Sequence, residues 1–385
     1  MGSLFSNRKT REIFFQALVL SVVAALLVAM VMNTRASLEA QSLTTGFSFL
    51  NRSTAWDFSF SVLPYSISDT YRKTILIGFL NTLLLGFLGI FLATLIGVII
   101  GLVRTSKNKL FSFLGTVYVE TFRNVPLILQ AIFWYAIITH LPRPRSADSL
   151  GESVFLSGRG LYFPVFNIAI WSVAIMFLLF VLWLLFLPWL RKKMNHSAGY
   201  HVVKKAGWLA LPVLMILIGY LARIPDTPLL DMPALKGLNF KGGMRMPPEL
   251  SALVIAIALY GGAYIGEVVR AGLMSVPRGQ IEAGFVNGLK PYHIFTRIRM
   301  PLAVRSVLPS LTNQYVQLMK ATTIGIVVGF SDLFMIISTS INQSGQTLEL
   351  LAILMGLFLF INLSIAFVMN AINRKIALVG FEVKS

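Results

Sequence analysis

Eight stretches of this sequence are apolar over a length that suits the interior of a lipid bilayer. A helix needs about 20 consecutive apolar residues to cross the hydrocarbon core. The stretches at 13–32, 74–103, 112–138, 164–189, 206–222, 250–274, 308–338 and 347–371 meet or approach that length. In hydrocarbon each backbone N–H and C=O must find its partner inside the segment, so continuous apolar runs are read as helices. A transmembrane barrel would instead show weak alternation over about ten residues. The expected fold is therefore all-α, a multispanning helical membrane protein of about eight transmembrane helices. Composition agrees: 56% of the residues are hydrophobic, 12% are charged and the mean hydropathy is +0.77. The fifth stretch is short and holds Pro212, and the seventh is polar in its first half.

The distribution of bases gives an orientation. With the N-terminus inside and eight crossings, the inner pieces carry Arg8, Lys9 and Arg11; Arg104, Lys107 and Lys109; and Arg191, Lys192, Lys193, Lys204 and Lys205. They also carry Arg270, Arg278, Lys290, Arg297, Arg299 and Arg305, and finally Arg374, Lys375 and Lys384. That is twenty bases inside against eleven in the longer outer segments, as the positive-inside rule requires. Omitting the fifth stretch would turn the six-base loop outward, so the charges support that span and place both termini in the cytoplasm. They also explain the net charge of +18 as topology, with no nucleic acid needed. The first stretch follows basic residues as a signal peptide does. Its apolar run is long and no small-residue cleavage site follows, so it is read as a retained anchor.

Several chemistries are excluded. The chain has no cysteine, hence no disulfide and no thiol chemistry. His140, His196, His201 and His293 are scattered, and His196 and His201 miss the i,i+4 spacing of a helical metal pair. No metal site is expected, and no catalytic residue: neither paired acids nor a His with a nucleophile cluster near one interface. No Gly-x4-Gly-Lys-Ser/Thr loop is present to cradle nucleotide phosphates. Gly97 with Gly101, and Gly262 with Gly266, are Gly-xxx-Gly pairs that let helices approach closely.

Between the sixth and seventh stretches lies "QIEAGFVNGLKPYHIFTRIRMPLAVR", 280–305. It reads as a short helix from about Arg278 to Asn287, ended at Gly288 and kept from resuming by Pro291. Ile281, Phe285 and Leu289 fall on one side, Ala283 and Asn287 on the other, with Gly284 flanking. Pro301 begins a fresh segment. Physics alone reads this as an amphipathic loop helix at the lipid surface.

The spacing adds to that reading. Glu282-Ala283-Gly284, three residues, Gly288, nine residues, then Ile298-x-Met300-Pro301 resembles the EAA motif of ABC-importer permeases. Gly284 stands where the pattern has a second Ala, and Met300 where it has Leu. The flanks "GGAYIGEVVRAGLMSVPRGQIEAG" (261–284) and "LPSLTNQYVQLMKATTIGIVVGFSDL" (308–333) look like the polar amino-acid permease group. "NTLLLGFLGIFLATLIGVIIGLVR" (81–104) and "YVETFRNVPLILQAIFWY" (118–135) match it as well. The leading span and the inserted pair exceed that group's five-helix core, a layout similar to the general L-amino acid transporter permeases.

The resemblance implies a division of the chain. An anchor and periplasmic linker occupy 1–73, and the first part of the permease core 74–138. An inserted region with two extra spans occupies 139–249. The second part of the core, 250–375, includes the coupling loop 275–305, and 376–385 is a cytoplasmic tail. It also implies a coupling helix that docks on a cytoplasmic ATPase through Glu282, Ala283, Gly284, Asn287, Gly288 and Pro301. The implied partners are a dimeric ABC ATP-binding subunit, a second and different permease subunit, a periplasmic amino-acid-binding protein and membrane lipid. No cofactor is expected on this chain; ATP and Mg belong to the ATPase. The location implied is the bacterial inner membrane, with binding-protein-dependent import of L-amino acids of broad, polar range. An ion-gradient-driven amino-acid carrier is the alternative, and it would need no ATPase.

Ionisable residues within spans are expensive and mark function or structural pairing. Lys320 lies about 18 Å into the seventh stretch at 1.5 Å per residue, near mid-membrane. It either faces the translocation path or serves a neighbouring helix's carbonyls or acid. Asn313, Gln314 and Gln317 share its span, so Lys320, Asn313 and Gln317 are path candidates, with Glu267. Glu267 and Arg270 are spaced to pair, as are Glu120 and Arg123. Pro126 is placed to kink the third span.

Overall fold

The computed structural model describes residues 8–40, 46–151, 153–194, 198–225 and 227–376. His196 and all but the first residue of the expected tail 376–385 lie outside these. In chain order come α1 (Arg8–Ala40), α2 (Tyr71–Arg104), α3 (Lys109–Asn124) and α4 (Leu127–Thr139). Four short strands follow: β1 (Asp148–Leu150), β2 (Val154–Ser157), β3 (Gly160–Phe163) and β4 (Val165–Phe166). Then come α5 (Ile170–Lys193) and α6 (Ala198–Leu221), followed by β5 (Leu230–Asp231), β6 (Ala234–Lys236), β7 (Asn239–Lys241) and β8 (Met244–Met246). The chain continues through α7 (Pro248–Met274), α8 (Arg278–Val286), α9 (Pro291–Ile294), α10 (Met300–Ala321), α11 (Leu333–Ser344) and α12 (Thr347–Ile376).

The expected apolar stretches fall on helices, but they are not eight single spans. Within the described residues, α2, α6, α7 and α12 are each long and apolar enough to cross a membrane. Two bent pairs raise the number to six if each is one span: α3 with α4, at 101°, and Pro291–Val328 with α11, at 52°. The first and fourth expected spans lie on α1 and α5, whose described apolar stretches, Phe14–Met30 and Trp171–Phe180, are shorter.

Each break has a local cause. Pro126 forces Val125 into extended backbone (φ −89, ψ 124), so α3 stops at Asn124. After α10 the helix tightens to a 3-10 turn over Thr322–Val328, and Gly329 takes a left-handed conformation (φ 77) that closes it. The buried Asp332 then caps α11 by accepting from the Met335 N–H at 2.8 Å.

The chain forms two compact units, 1–131 with 253–385, and 132–252. In the first, α2 packs against α7 through the two Gly-xxx-Gly pairs. A Cβ on Gly97 would sit 2.6 Å from Ile265, and one on Gly262 2.7 Å from Ile96. The glycines of each helix receive the branched side chains of the other. Phe49, Tyr71, Ile75, Leu333, Ile336, Ile337, Leu350 and Leu354 form a buried cluster joining α2, α11 and α12.

Residues 46–70 fold onto that cluster as a strap. Trp56 and Phe58 pack against it, Tyr65 Oη donates to the Trp56 carbonyl at 2.5 Å, and the Gly46 N–H reaches Glu349 Oε1 at 2.8 Å. Within the expected periplasmic linker, Trp56 and Tyr65 thus have protein partners.

In the second unit α5 and α6 form a helical hairpin, with Trp183 seated where Gly207 has no side chain. A Cβ there would fall 1.9 Å from the ring. A hairpin returns the chain to the side it left, so the segments before and after it meet. β1-β2-β3-β8 make one antiparallel sheet, and β4 pairs β5. A third pairing joins β6 to β7 through a turn at Gly237. Residues too polar to span thus pair locally as strands, where the sequence reading expected helices and loops alone.

Candidate functional site

The loop singled out in the sequence is a helix with a built stop. α8 ends at Val286, capped by Asn287. Gly288 adopts φ 74. Its N–H bonds the Phe285 carbonyl at 2.9 Å and the Leu289 N–H bonds the Gly284 carbonyl at 3.1 Å. This reciprocal pair of bonds is the Schellman arrangement, which uses a left-handed residue to satisfy the last carbonyls. A Cβ on Gly288 would meet nothing within 4 Å. The position demands glycine for its backbone angle, not for space.

The faces of α8 differ from the expected ones in two respects. Ile281, like Phe295 and Leu302, packs against a buried group of Leu273, Val276 and Ala303. Gly284 is also on this inner side: it is buried, and a Cβ there would lie 3.0 Å from Ile294 and 3.1 Å from Ile298. Phe285, expected on the resting face, is 54% exposed, and Val286 is 88% exposed. Glu282, Ala283, Asn287 and Gly288 are exposed. Glycine at 284 lets α8 sink between Ile294 and Ile298, which rotates Phe285 outward. Gly284 therefore supports the helix from beneath and does not line its outer face.

Pro291 starts α9 with Lys290 as its cap, so it does more than block α8. Pro301 does not open a fresh segment either. The helical path runs on from α9 through a π-turn at Phe295–Arg299, where the Met300 N–H bonds the Phe295 carbonyl. Pro301 has no N–H for the Arg297 carbonyl and its ring would crowd it. The wider π-turn just before it accommodates both facts.

α10 carries the path candidates on one face. Ser306, Ser310, Asn313, Gln317 and Lys320 are all exposed. At 100° per residue they fall within an arc of about 80°. Ala303, Val307, Leu308, Leu318 and Met319 are buried on the other side. The Lys320 ammonium makes no ion pair or hydrogen bond among the described residues.

At the Ser306 end, a cleft of about 290 Å³ is lined by Glu267, Ala271, Ser275, Ser306 and Ser310. Ser275 and Ser306 hydroxyls are 3.1 Å apart.

Glu267 pairs with Arg270 as spaced, Nη2 to Oε1 at 2.5 Å. It is also held by Arg104, the last residue of α2. One carboxylate thus ties α2 to α7 while its edge reaches the cleft. Glu120 and Arg123 do not form an ion pair: Glu120 accepts from Asn124 at 3.4 Å, and Arg123 lies over the Tyr264 ring at 5.0 Å. An aromatic face on α7 takes the guanidinium in place of the neighbour on the same helix.

One polar centre was not read from the sequence. Asn81 on α2 is fully buried. Its Nδ2 donates to the Ser331 carbonyl at 2.7 Å and the Phe60 carbonyl at 3.1 Å. Its Oδ1 accepts from the Val62 N–H at 3.2 Å. Thr82 Oγ1 accepts from the Leu333 N–H at 2.9 Å, and Ser331 Oγ donates to the Phe60 carbonyl at 2.6 Å. Non-helical backbone at membrane depth persists only when protein groups satisfy it. The Asn81-Thr82 pair does this for the break between α10 and α11.

Residues 247–378 match the family model described as "Binding-protein-dependent transport system inner membrane component". Over nearly the whole chain, the sequence is 36% identical to the putative amino-acid ABC transporter permease protein YhdX of Escherichia coli, covering 98% of this chain and 97% of that protein. It is 35% identical to the general L-amino acid transport system permease protein AapQ of Rhizobium johnstonii, covering 98% and 95%. It is 33% identical to the glutamate/glutamine/aspartate/asparagine transport system permease protein BztB of Rhodobacter capsulatus, covering 98% and 96%.

Proposed function

The chain belongs to the binding-protein-dependent transport inner-membrane components, among the amino-acid ABC transporter permeases, and from that premise we propose how its parts share the work of import. It is the membrane-spanning permease subunit of an ATP-driven importer of L-amino acids. It is not itself an enzyme; ATP is hydrolysed on a separate ATP-binding subunit, which also holds the Mg. Both termini face the cytoplasm. The assembly pairs this chain with a second, different permease subunit, an ATPase dimer and a periplasmic amino-acid-binding protein.

The observation that supports the coupling role is the rigid seating of α8. Gly284 seats it on Ile294 and Ile298, and Ile281 packs on the group that includes Ala303 of α10; Ile294 and Ile298 lead into α10 without a loop. A push or pull on the exposed face formed by Glu282, Ala283 and Asn287 is therefore delivered to the helix that carries the polar stripe. Closure of the ATPase dimer biases the bundle between two packings by this route. The stripe from Ser306 to Lys320 lines the path, because polar side chains in a span avoid hydrocarbon. Lys320 supplies a positive charge for a substrate carboxylate, and the Glu267 clamp holds α2 and α7 together at the inner mouth.

The test is reconstitution in vesicles. Uptake of a labelled L-amino acid should require the ATPase, internal ATP and the binding protein together. Uptake by this chain alone down an ion gradient would instead establish the carrier reading.

A further inference from the structure

The positive-inside rule leaves few bases on the outer side, so their placement there is informative. The segment between α4 and α5 has three, Arg143, Arg145 and Arg159. All three line one pocket of about 610 Å³, with Ser146, Gly158 and Leu238. Its walls are turns. Gly158-Arg159 joins β2 to β3, and Gly237-Leu238 joins β6 to β7.

Two of the guanidinium groups are fixed to that second turn. Arg145 Nε donates to the Gly237 carbonyl at 3.3 Å and Arg159 Nη1 to the Leu238 carbonyl at 3.4 Å. The ion pairs among the described residues lie elsewhere. Arg143 is exposed and its side chain makes no hydrogen bond among them. Three positive charges thus line one pocket with no carboxylate among its described residues, each with donors to spare. A guanidinium fork is matched to a carboxylate, which it can bind by two parallel hydrogen bonds.

We infer that this pocket receives acidic side chains of the soluble binding protein when it docks on the outer face. The inference rests on the importer reading above. The family is by description binding-protein-dependent, and the fixed arginines on turns suit a folded partner with placed carboxylates better than a fluid headgroup. Docking of this kind is electrostatic and falls with salt.

The experiment uses the complete transporter in nanodiscs and the labelled binding protein that supports its uptake. The Kd between them is measured at low and physiological salt. Arg143→Ala/Arg145→Ala/Arg159→Ala is expected to raise Kd about tenfold or more and to flatten its salt dependence. Lys241→Ala, a charge removed from the same unit but outside the pocket, should leave Kd unchanged. Arg143→Ala alone breaks no hydrogen bond of the fold, and should give a smaller rise if the triple variant fails to assemble.

An unaltered Kd in these variants overturns the inference. So does a defect that appears only when anionic lipid is varied, which would assign the pocket to a lipid phosphate. If the unmodified transporter binds no soluble partner at all, the importer reading has failed, a result distinct from either.

Discussion

Asn81 shows how much one neutral side chain can hold in a membrane. It joins α2, the strap at Phe60–Val62 and the break at Ser331. Asn81→Leu keeps the branched outline of the side chain and removes its three hydrogen bonds to backbone groups. Each buried backbone group left unpaired costs about 1–3 kcal/mol, so the variant should melt several degrees lower by fluorescence-detected size exclusion. A melting curve like that of the natural chain would mean the strap and the break hold without this residue. The sequence reading flagged Lys320 and Glu267 instead, and Asn313 and Gln317 because they share the span of Lys320. Asn81 stands alone in an apolar run with no charge beside it, and its partner lies 250 residues away. Nor could the stretch show that Arg104 would meet Glu267, 163 residues on, though basic residues at an inner helix end are where such a partner is sought.

Among the elements, α8 was legible in length and in its stop, since both are local. Glycine at 288 and the apolar period decide them without tertiary help. Which side of α8 rests on the protein was not legible, because it depends on where Ile294 and Ile298 lie. The kink at Pro126 was legible from the proline itself, but the break between α10 and α11 was missed for a related reason. Hydropathy averages over Gly329–Asp332, while the bend depends on backbone angles at single residues. The corrected face sharpens the docking experiment. Ala283 is exposed on a well-formed helix, so Ala283→Arg should leave the permease folded and strip it of co-purifying ATPase. Gly284→Val should reduce that association more weakly, by lifting α8 off Ile294 and Ile298. Normal ATPase content in the Ala283→Arg complex would count against docking on this face.

For the whole molecule, topology turns on how many times the chain crosses the bilayer between two marked points. If α3 with α4 is one crossing and α5, α6 and α7 are one each, four separate Lys107 from Lys290 and three separate Lys107 from Lys236. The first pair must then share a side and the second must not. α6 is the step on which this turns, since its interior Pro212 costs a helical hydrogen bond. Losing its crossing would carry the coupling loop away from any ATPase. The chain has no cysteine, so single cysteines report cleanly, and Ser66, Lys107, Lys236 and Lys290 are all exposed. In intact cells with a permeable outer membrane, an impermeant maleimide should label Ser66→Cys and Lys236→Cys. Lys107→Cys and Lys290→Cys should react only after the inner membrane is opened. Labelling of Lys290→Cys from outside would place α8 beyond reach of ATP and overturn the coupling role at once. Labelling of Lys236→Cys only from inside would instead show that the second unit faces the cytoplasm, and would leave the arginine pocket without a soluble partner to receive.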